Sequence, residues 1–380
     1  MQMNRRLFFG LTGGALAATA QTNVLDRTAT ADRWVKFFGD GLWLSPSAQM
    51  QVLSKLMQDG KIESDFYCKG GTVAKLESRM ASLLGKEAAI FLPTGTMANR
   101  LALQVLAGNR RRILLLRESH TFNDEGDGPQ LLSGDSLVPL APGKATFTLE
   151  EVKAEMARFS GGPGPVPVGV IAMECPVRRQ EGRLFDFAEM QAISSFAREN
   201  KIGMHLDGAR LLIASCYSGI SPERYAALFD TVYISLYKYL NAMSGAILAG
   251  SRNVIEQISE LRQVSGGMIY DVWPQASLAL YHLDSFQDRF AKAIARAEEL
   301  VRLLQKNPRF HIEKIPGGTN IAYLHVDVED AKLWAKRLLN LNIAFFPPEG
   351  SQTKVLFMTN ETLFRQPVEI LSSSLISALS

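Results

Sequence analysis

Residues 201–250 read KIGMHLDGARLLIASCYSGISPERYAALFDTVYISLYKYLNAMSGAILAG, and the fold turns on how that stretch is divided. An apolar run, Ile202 to Leu206, delivers Asp207 at its end, and Gly208-Ala209-Arg210 follow at once. After a helical interval, a second run, Val232 to Leu236, leads into Lys238, with Tyr237 and Tyr239 on either side. Short apolar runs bounded by turn residues and separated by a helix predict strands of an α/β sheet. Side chains at the carboxyl ends of such strands point into the ligand crevice. If both runs lie in one sheet, an acid and a lysine converge there.

That pair suits one chemistry. A lysine among apolar and aromatic neighbours is partly desolvated, which lowers its pKa and frees the amine for Schiff-base formation. Pyridoxal 5'-phosphate (PLP) needs such a lysine for its aldehyde. It also needs a carboxylate to keep its pyridine nitrogen protonated, so that the ring accepts electrons. Taken singly, each residue has a plainer reading: an Asp capping a helix, or a Lys stem lying on apolar surface with its head in water. The order of strand, Asp-Gly-Ala-Arg, helix, strand, Lys and a glycine-containing turn is harder to reach by accident.

HLDGARL (205–211), followed by a strand that delivers a lysine, resembles the threonine aldolase and β-eliminating lyase family of PLP-dependent enzymes, of the aspartate-aminotransferase fold type (fold type I). The resemblance runs from about residue 40 to the C-terminus. It is densest at CKGGTVAKLESRMASLLGKEAAIFLPTGTMAN (68–99), at HLDGARL and at the lysine strand. It implies an α/β fold: an N-terminal arm and helix at 21–64, a large PLP-binding domain with a mostly parallel sheet at 65–275, and a smaller α+β C-terminal domain at 276–380. It implies that Lys238 carries PLP, that Asp207 serves the pyridine nitrogen, and that Arg210 grips the substrate carboxylate with its planar fork. His120, beyond the strand Ile113–Leu116, matches the imidazole that stacks on the ring and assists at the substrate hydroxyl. The implied partner is a small amino-acid substrate, with retro-aldol cleavage of a β-hydroxy-α-amino acid to glycine and an aldehyde as the leading reaction. β-Elimination or another PLP reaction is the alternative, and a non-catalytic PLP or amino-acid binding protein of the envelope is the alternative from another class. Active sites of this fold type lie at subunit interfaces, which implies a homodimer or homotetramer.

The departures from the family pattern bear on specificity. Gly39 precedes Asp40 where a serine is usual, and ECPVRR (174–179) has Val177 where many aldolases carry a histidine. The usual Ser-Lys is Tyr237-Lys238, which leaves Ser235 as the serine in reach of the phosphate, and Tyr237 and Tyr239 narrow the site. KVLFMTN (354–360) holds only Lys354 near the place of a second carboxylate-binding arginine. Fewer polar partners predict a preference for larger side chains than that of threonine.

Upstream, a strand at Ala88–Leu92 runs through Pro93 into Thr94-Gly95-Thr96, and a helix follows from Met97 to Leu106. Backbone N–H groups, two hydroxyls and the helix dipole make that turn a phosphate seat. Asp124, Glu125 and Asp127 read as a solvated loop, since no fixed cation-ligand spacing is present. Further on, periodicity predicts one long helix from Ala276 to Leu304, then strand, helix, strand and strand at 320–326, 332–339, 343–345 and 355–358.

Composition narrows the alternatives. With 380 residues, 47% of them hydrophobic, the chain can bury one large core plus a smaller one. A net charge of +3 without a polybasic block past the first residues speaks against nucleic-acid and membrane-surface partners. Five histidines and three cysteines in no ligand spacing make neither a metal site nor a disulfide framework. At the start, Arg5-Arg6, a short uncharged apolar stretch and Ala18-Thr19-Ala20 form a twin-arginine export pattern over residues 1–20, which predicts a periplasmic protein; a cytoplasmic location is the alternative.

Overall fold

The computed structural model describes residues 32–160, 166–346 and 353–379; the export pattern at 1–20 lies outside the described residues. The first strand, β1 (Val35–Lys36), belongs to the second lobe. The next seven form one sheet: β2 (Ala88–Leu92), β3 (Arg112–Leu116), β4 (Ser136–Leu140), β5 (Val168–Glu174), β6 (Gly203–Asp207), β7 (Thr231–Ser235) and β8 (Ala246–Gly250). Their order is β2-β8-β7-β6-β5-β3-β4, and only β8 runs against the rest. The central strands are apolar throughout because helices cover both faces; every residue of β5, β7 and β8 is buried. Strand β4 escapes a sequence reading because Pro139 interrupts it, which is tolerated at a sheet edge.

Helix starts follow local capping chemistry. Thr94 accepts from the Met97 amide to begin the helix Gly95–Ala107, and Asp186 accepts from Glu189 to begin Phe187–Glu199. The expected long helix from Ala276 to Leu304 is two, Trp273–Leu283 and Phe286–Leu304, parted at Asp284-Ser285. Arg289 takes the carbonyl of His282 that the break releases, at 2.7 Å.

The second lobe holds β9 (Phe310–Lys314), β10 (Ile321–Val326), β11 (Ile343–Ala344) and β12 (Lys354–Met358). Strands β12, β10 and β9 form an antiparallel sheet in that order, while β11 pairs in parallel with β1 of the arm. The arm is therefore built into this lobe: Phe37 stacks on Phe345 at 4.3 Å inside the second core. The helix Phe286–Leu304 serves both cores, with Phe286 and Phe290 in the first and Ala297, Leu300 and Leu304 in the second. No helix among the described residues is long and apolar enough to cross a membrane.

Candidate active site

Because β2, β3, β5, β6 and β7 share one direction, the turns after them open along one edge of the sheet. The reversed strand β8 contributes its entry, Met243-Ser244-Gly245, to the same edge. A cavity of about 390 Å³ sits there, walled by Thr94 to Thr96, His120, Glu125, Glu174, Asp207, Arg210, Tyr233, Tyr237 and Lys238. The expected acid and lysine do share one chamber. Strand register adds what the motif reading missed: Glu174 lies beside Asp207, and Asp207 beside Tyr233. Glu174 carries the signal that singled out Asp207, an acid closing an apolar strand.

Asp207 is buried and held from two sides. Its Oδ1 accepts from the Ala209 amide at 3.1 Å, and its Oδ2 accepts from Asn99 Nδ2 at 2.9 Å. Asn99 sits on the helix that starts at Gly95, and its Oδ1 faces His205 Nε2 at 3.0 Å. Burial pushes the His205 pKa down to about 4, so its ring is neutral beneath the carboxylate. The Asn99 amide also donates to Glu125 Oε1 at 2.7 Å. Glu125 is thus no part of a solvated loop; its amide and imidazole partners draw the carboxylate inward, whereas Asp127 stays exposed. Asp124 pairs with Arg179. A ring nitrogen of His120 and carboxylate oxygens of Glu125 and Asp207 lie within 4.8 Å of one another. Asn99 puts a donor between the two carboxylates, where a cation would require lone pairs.

His120 opens a one-turn helix, and its amide donates to Glu174 Oε2 at 2.7 Å. The other Glu174 oxygen accepts from the Arg178 amide at 2.8 Å. Burial, and next the charge of Asp207, raise the Glu174 pKa.

Lys238 lies in the bend after β7, half-buried because its side chain borders the cavity. Desolvation first, and the Arg210 charge second, lower its pKa to about 8. Tyr237 shares the cavity wall, but Tyr239 does not narrow the site as expected. It is buried, accepts from Asn320 Nδ2 at 2.6 Å and meets Phe290 edge-on at 5.6 Å, so it wedges the lysine loop against the second lobe.

Arg210 lines the cavity with its fork already engaged. Its Nε and Nη2 donate to Asp40 Oδ1 and Oδ2 at 2.8 and 2.7 Å. Burial alone would raise the Asp40 pKa and lower that of Arg210; their mutual attraction overrides both and holds Asp40 far below the usual carboxylate range. Nη1 is the part of the fork that Asp40 leaves over. The arm reaches this place by close approach: a Cβ on Gly41 would fall 2.3 Å from the Lys238 carbonyl oxygen. A Cβ on Gly39 would enter the Trp43 ring at 2.4 Å, so no serine fits there.

Thr94, Gly95 and Thr96, the turn expected to seat a phosphate, line the cavity at the start of the helix Gly95–Ala107. Ser235 is buried and stands outside the cavity wall, whereas Tyr233, two residues back on the same face of β7, brings its hydroxyl against Gly95. A Cβ at position 95 would lie 2.0 Å from that oxygen, which explains the glycine. Two of the specificity departures lie off the cavity. Val177 is buried in the core, and Lys354 pairs with Glu313 at 2.9 Å above the Tyr323 ring. The donor set fits PLP: an amine with a depressed pKa, a carboxylate in the same chamber, and a helix N-terminus approached closely only because residue 95 is glycine.

Comparison with known proteins covers this part of the chain. The family profile described as β-eliminating lyase matches residues 45–327. A low-specificity L-threonine aldolase of Candida albicans is 29% identical over 293 residues, spanning 75% of this chain and 76% of that protein. The alanine racemase TOXG of Cochliobolus carbonum is 31% identical over 221 residues, 58% of this chain and 56% of its own. Among solved structures, a candidate L-allo-threonine aldolase of Listeria monocytogenes EGD-E is 26% identical, with a TM-score of 0.75 over 94% of this chain and 98% of that one.

Proposed function

The chain belongs to the β-eliminating lyase family, and from that premise we propose that it is a PLP-dependent aldehyde-lyase. It cleaves the Cα–Cβ bond of a β-hydroxy-α-amino acid and releases glycine and an aldehyde. The observation that carries this reading is the convergence of Lys238, its pKa lowered to about 8, with Asp207 and Arg210 on one cavity. When bound, PLP supplies an aldehyde for the amino group and an electron sink for the breaking bond.

Lys238 Nζ would hold the cofactor, Asp207 would face its pyridine nitrogen, and the Gly95 and Thr96 amides with the Tyr233 hydroxyl would take its phosphate. Arg210 Nη1, the part of the fork that Asp40 leaves over, would take the substrate carboxylate and so orient the substituents at Cα. His120 accepts the β-hydroxyl proton. Glycine release from L-threonine, L-allo-threonine and β-phenylserine tests the reading, with glycine expected from at least one. Pyruvate from L-serine with no glycine from any of the three would replace it with β-elimination.

Two further readings accompany it. We place the mature enzyme in the periplasm on the strength of Arg5-Arg6 and Ala18-Thr19-Ala20. Replacing both arginines with lysine should hold the precursor in the cytoplasm, and unchanged delivery would refute the route. We also expect a homodimer or homotetramer. Phe66, Tyr67 and Tyr270 support this as an exposed aromatic cluster with centroids 4.8 to 5.3 Å apart, and light scattering would check it.

A further inference from the structure

The loop beyond His120 holds a carboxylate that the reaction above leaves without a task. Glu125 has a side chain closed to solvent, and its Oε2 is buried with no hydrogen-bond partner among the described residues. Its Oε1 meets two groups, Asn99 Nδ2 at 2.7 Å and His120 Nδ1 at 3.1 Å. Desolvation of this kind is costly, and structure retains it where it does something.

Burial raises the Glu125 pKa against the lowering effect of its His120 and Asn99 hydrogen bonds, and with the carboxylate ionised the network sets the direction of these bonds. Asn99 Nδ2 spends its two hydrogens on Asp207 Oδ2 and Glu125 Oε1, since the reversed amide would set an oxygen against two carboxylates. Glu125 Oε1 is therefore already an acceptor, and His120 Nδ1 is the donor to it. In the neutral ring the lone pair is then on Nε2. Glu174 is held by other groups: its two oxygens accept from the backbone amides of His120 and Arg178.

We propose that Glu125 and His120 work as a dyad: Glu125 fixes the Nδ1–H tautomer and balances the positive charge that forms on the ring when Nε2 accepts the β-hydroxyl proton. The proposal rests on the aldolase reading of the cavity. The O–H bond breaks and its electrons form the aldehyde C=O. The electrons of the Cα–Cβ bond stay with the glycine half, and one proton must reach Cα. The dyad carries that proton in the interval, so it ends as it began. Glu125 is a positioning residue in this scheme, acting on substrate through His120.

Among the described residues, the charged groups acting on His120 include Glu125 from its own loop, Glu174 at the end of β5 and Asp207 at the end of β6, with Arg210, Lys238 and Tyr237 also on the cavity wall. Burial alone would lower the His120 pKa. The Glu125 hydrogen bond and the charges of Asp207, Glu125 and Glu174 override it and hold the ring above the ordinary imidazole value. Activity that needs a neutral Nε2 is therefore lost as pH falls through that raised pKa.

Glu125→Gln tests this, because the amide keeps an oxygen toward Asn99 and His120 while removing the charge. In the holoenzyme, kcat for glycine release should fall ~10²-fold while KM moves by less than about threefold. The acid limb of the pH profile should move to lower pH. Independently of turnover, ¹⁵N imidazole titration of the substrate-free enzyme should show His120 as the Nδ1–H tautomer, its pKa dropping by about one unit in Glu125→Gln. An Nε2–H tautomer in the unmodified enzyme overturns the proposal and needs no variant to fold. So does a Glu125→Gln enzyme with unchanged kcat and unmoved titration, or one active where Glu125→Ala is not, which would reduce Glu125 to packing. If the unmodified enzyme releases no glycine from any β-hydroxy amino acid, the aldolase reading fails, and the titration still reports separately on the pair.

Discussion

Two carboxylate–cation clusters of this chain have similar distances and opposite consequences. At the cavity, Asp40 and Arg210 pair at 2.7 Å with side chains only 19% and 9% exposed. On the second lobe, Glu313 takes Lys354 at 2.9 Å and His325 at 2.7 Å, with exposures between 33% and 43%. Water screens the second cluster, so its charges are confined to their own hydrogen bonds. Around the first, little water intervenes, and the same two charges reach Lys238 and Arg178, where Arg210 lowers both pKa values after burial has done so. Contact distance does not distinguish a reactive cluster from an ornamental one; desolvation does.

The comparison can be broken most severely at Lys238. Lys238→Ala should leave folding intact and cut turnover by ~10⁴-fold or more. Borohydride reduction followed by peptide mapping should tag Lys238, and a tag on any other lysine would remove the centre of the buried cluster. Next comes Asp40→Asn, which leaves the Arg210 charge buried and unpaired. Denaturant unfolding should show a loss of roughly 3 kcal/mol, accompanied by a raised KM because the fork loses its fixed orientation. A stability change near zero would mean that water already reaches the pair.

Smaller again is a pH effect on cofactor capture. If Lys238 holds PLP, the neutral amine is the form that would take it, so the reconstitution rate of apoprotein should rise with pH and reach half its maximum near 8. An unshifted lysine would place that midpoint at ~10.4. In Asp40→Asn the midpoint should fall further, since the Asp40 charge favours the protonated amine. The least effect belongs to the exposed cluster: Glu313→Gln should change stability by no more than about 0.5 kcal/mol and leave kcat unmoved. A measurable loss of activity there would unite the two clusters that exposure separates.

Much of this was legible in the sequence for a physical reason. Strands buried on both faces must be apolar, so the runs ending at Leu92, Asp207 and Leu236 announce themselves, and chemistry at their carboxyl ends follows from direction alone. Lys238, Asp207 and the Thr94-Gly95-Thr96 turn are local signals of that kind. Glu125, Asn99 and Tyr233 are not. Glu125 sits in an acidic run that looks solvated, and only the arrival of Asn99 from another element turns it inward. Arg210 shows the opposite error: its fork reads as open to substrate, yet Asp40, 170 positions away, has closed on it. Tyr239 misleads because adjacency to the lysine suggests a wall, while the small-domain side chain Asn320 draws it away. Such pairings depend on long-range packing, which no window of neighbouring residues contains.

The route of the arm gives the Asp40 contact a mechanical side. Val35 and Lys36 are stitched to Ile343 and Ala344 of the second lobe, and Asp40 is bolted to Arg210 at the mouth of the first. The chain between Lys36 and Asp40 can extend to only about 14 Å. That short strap ties the second lobe to the Asp40 carboxylate, as the Asn320–Tyr239 hydrogen bond ties it to the lysine loop. The substrate carboxylate proposed for Arg210 Nη1 would act on the opposite side of the same guanidinium. A single side chain, Arg210, is thereby where the strap from the second lobe and the cavity wall meet.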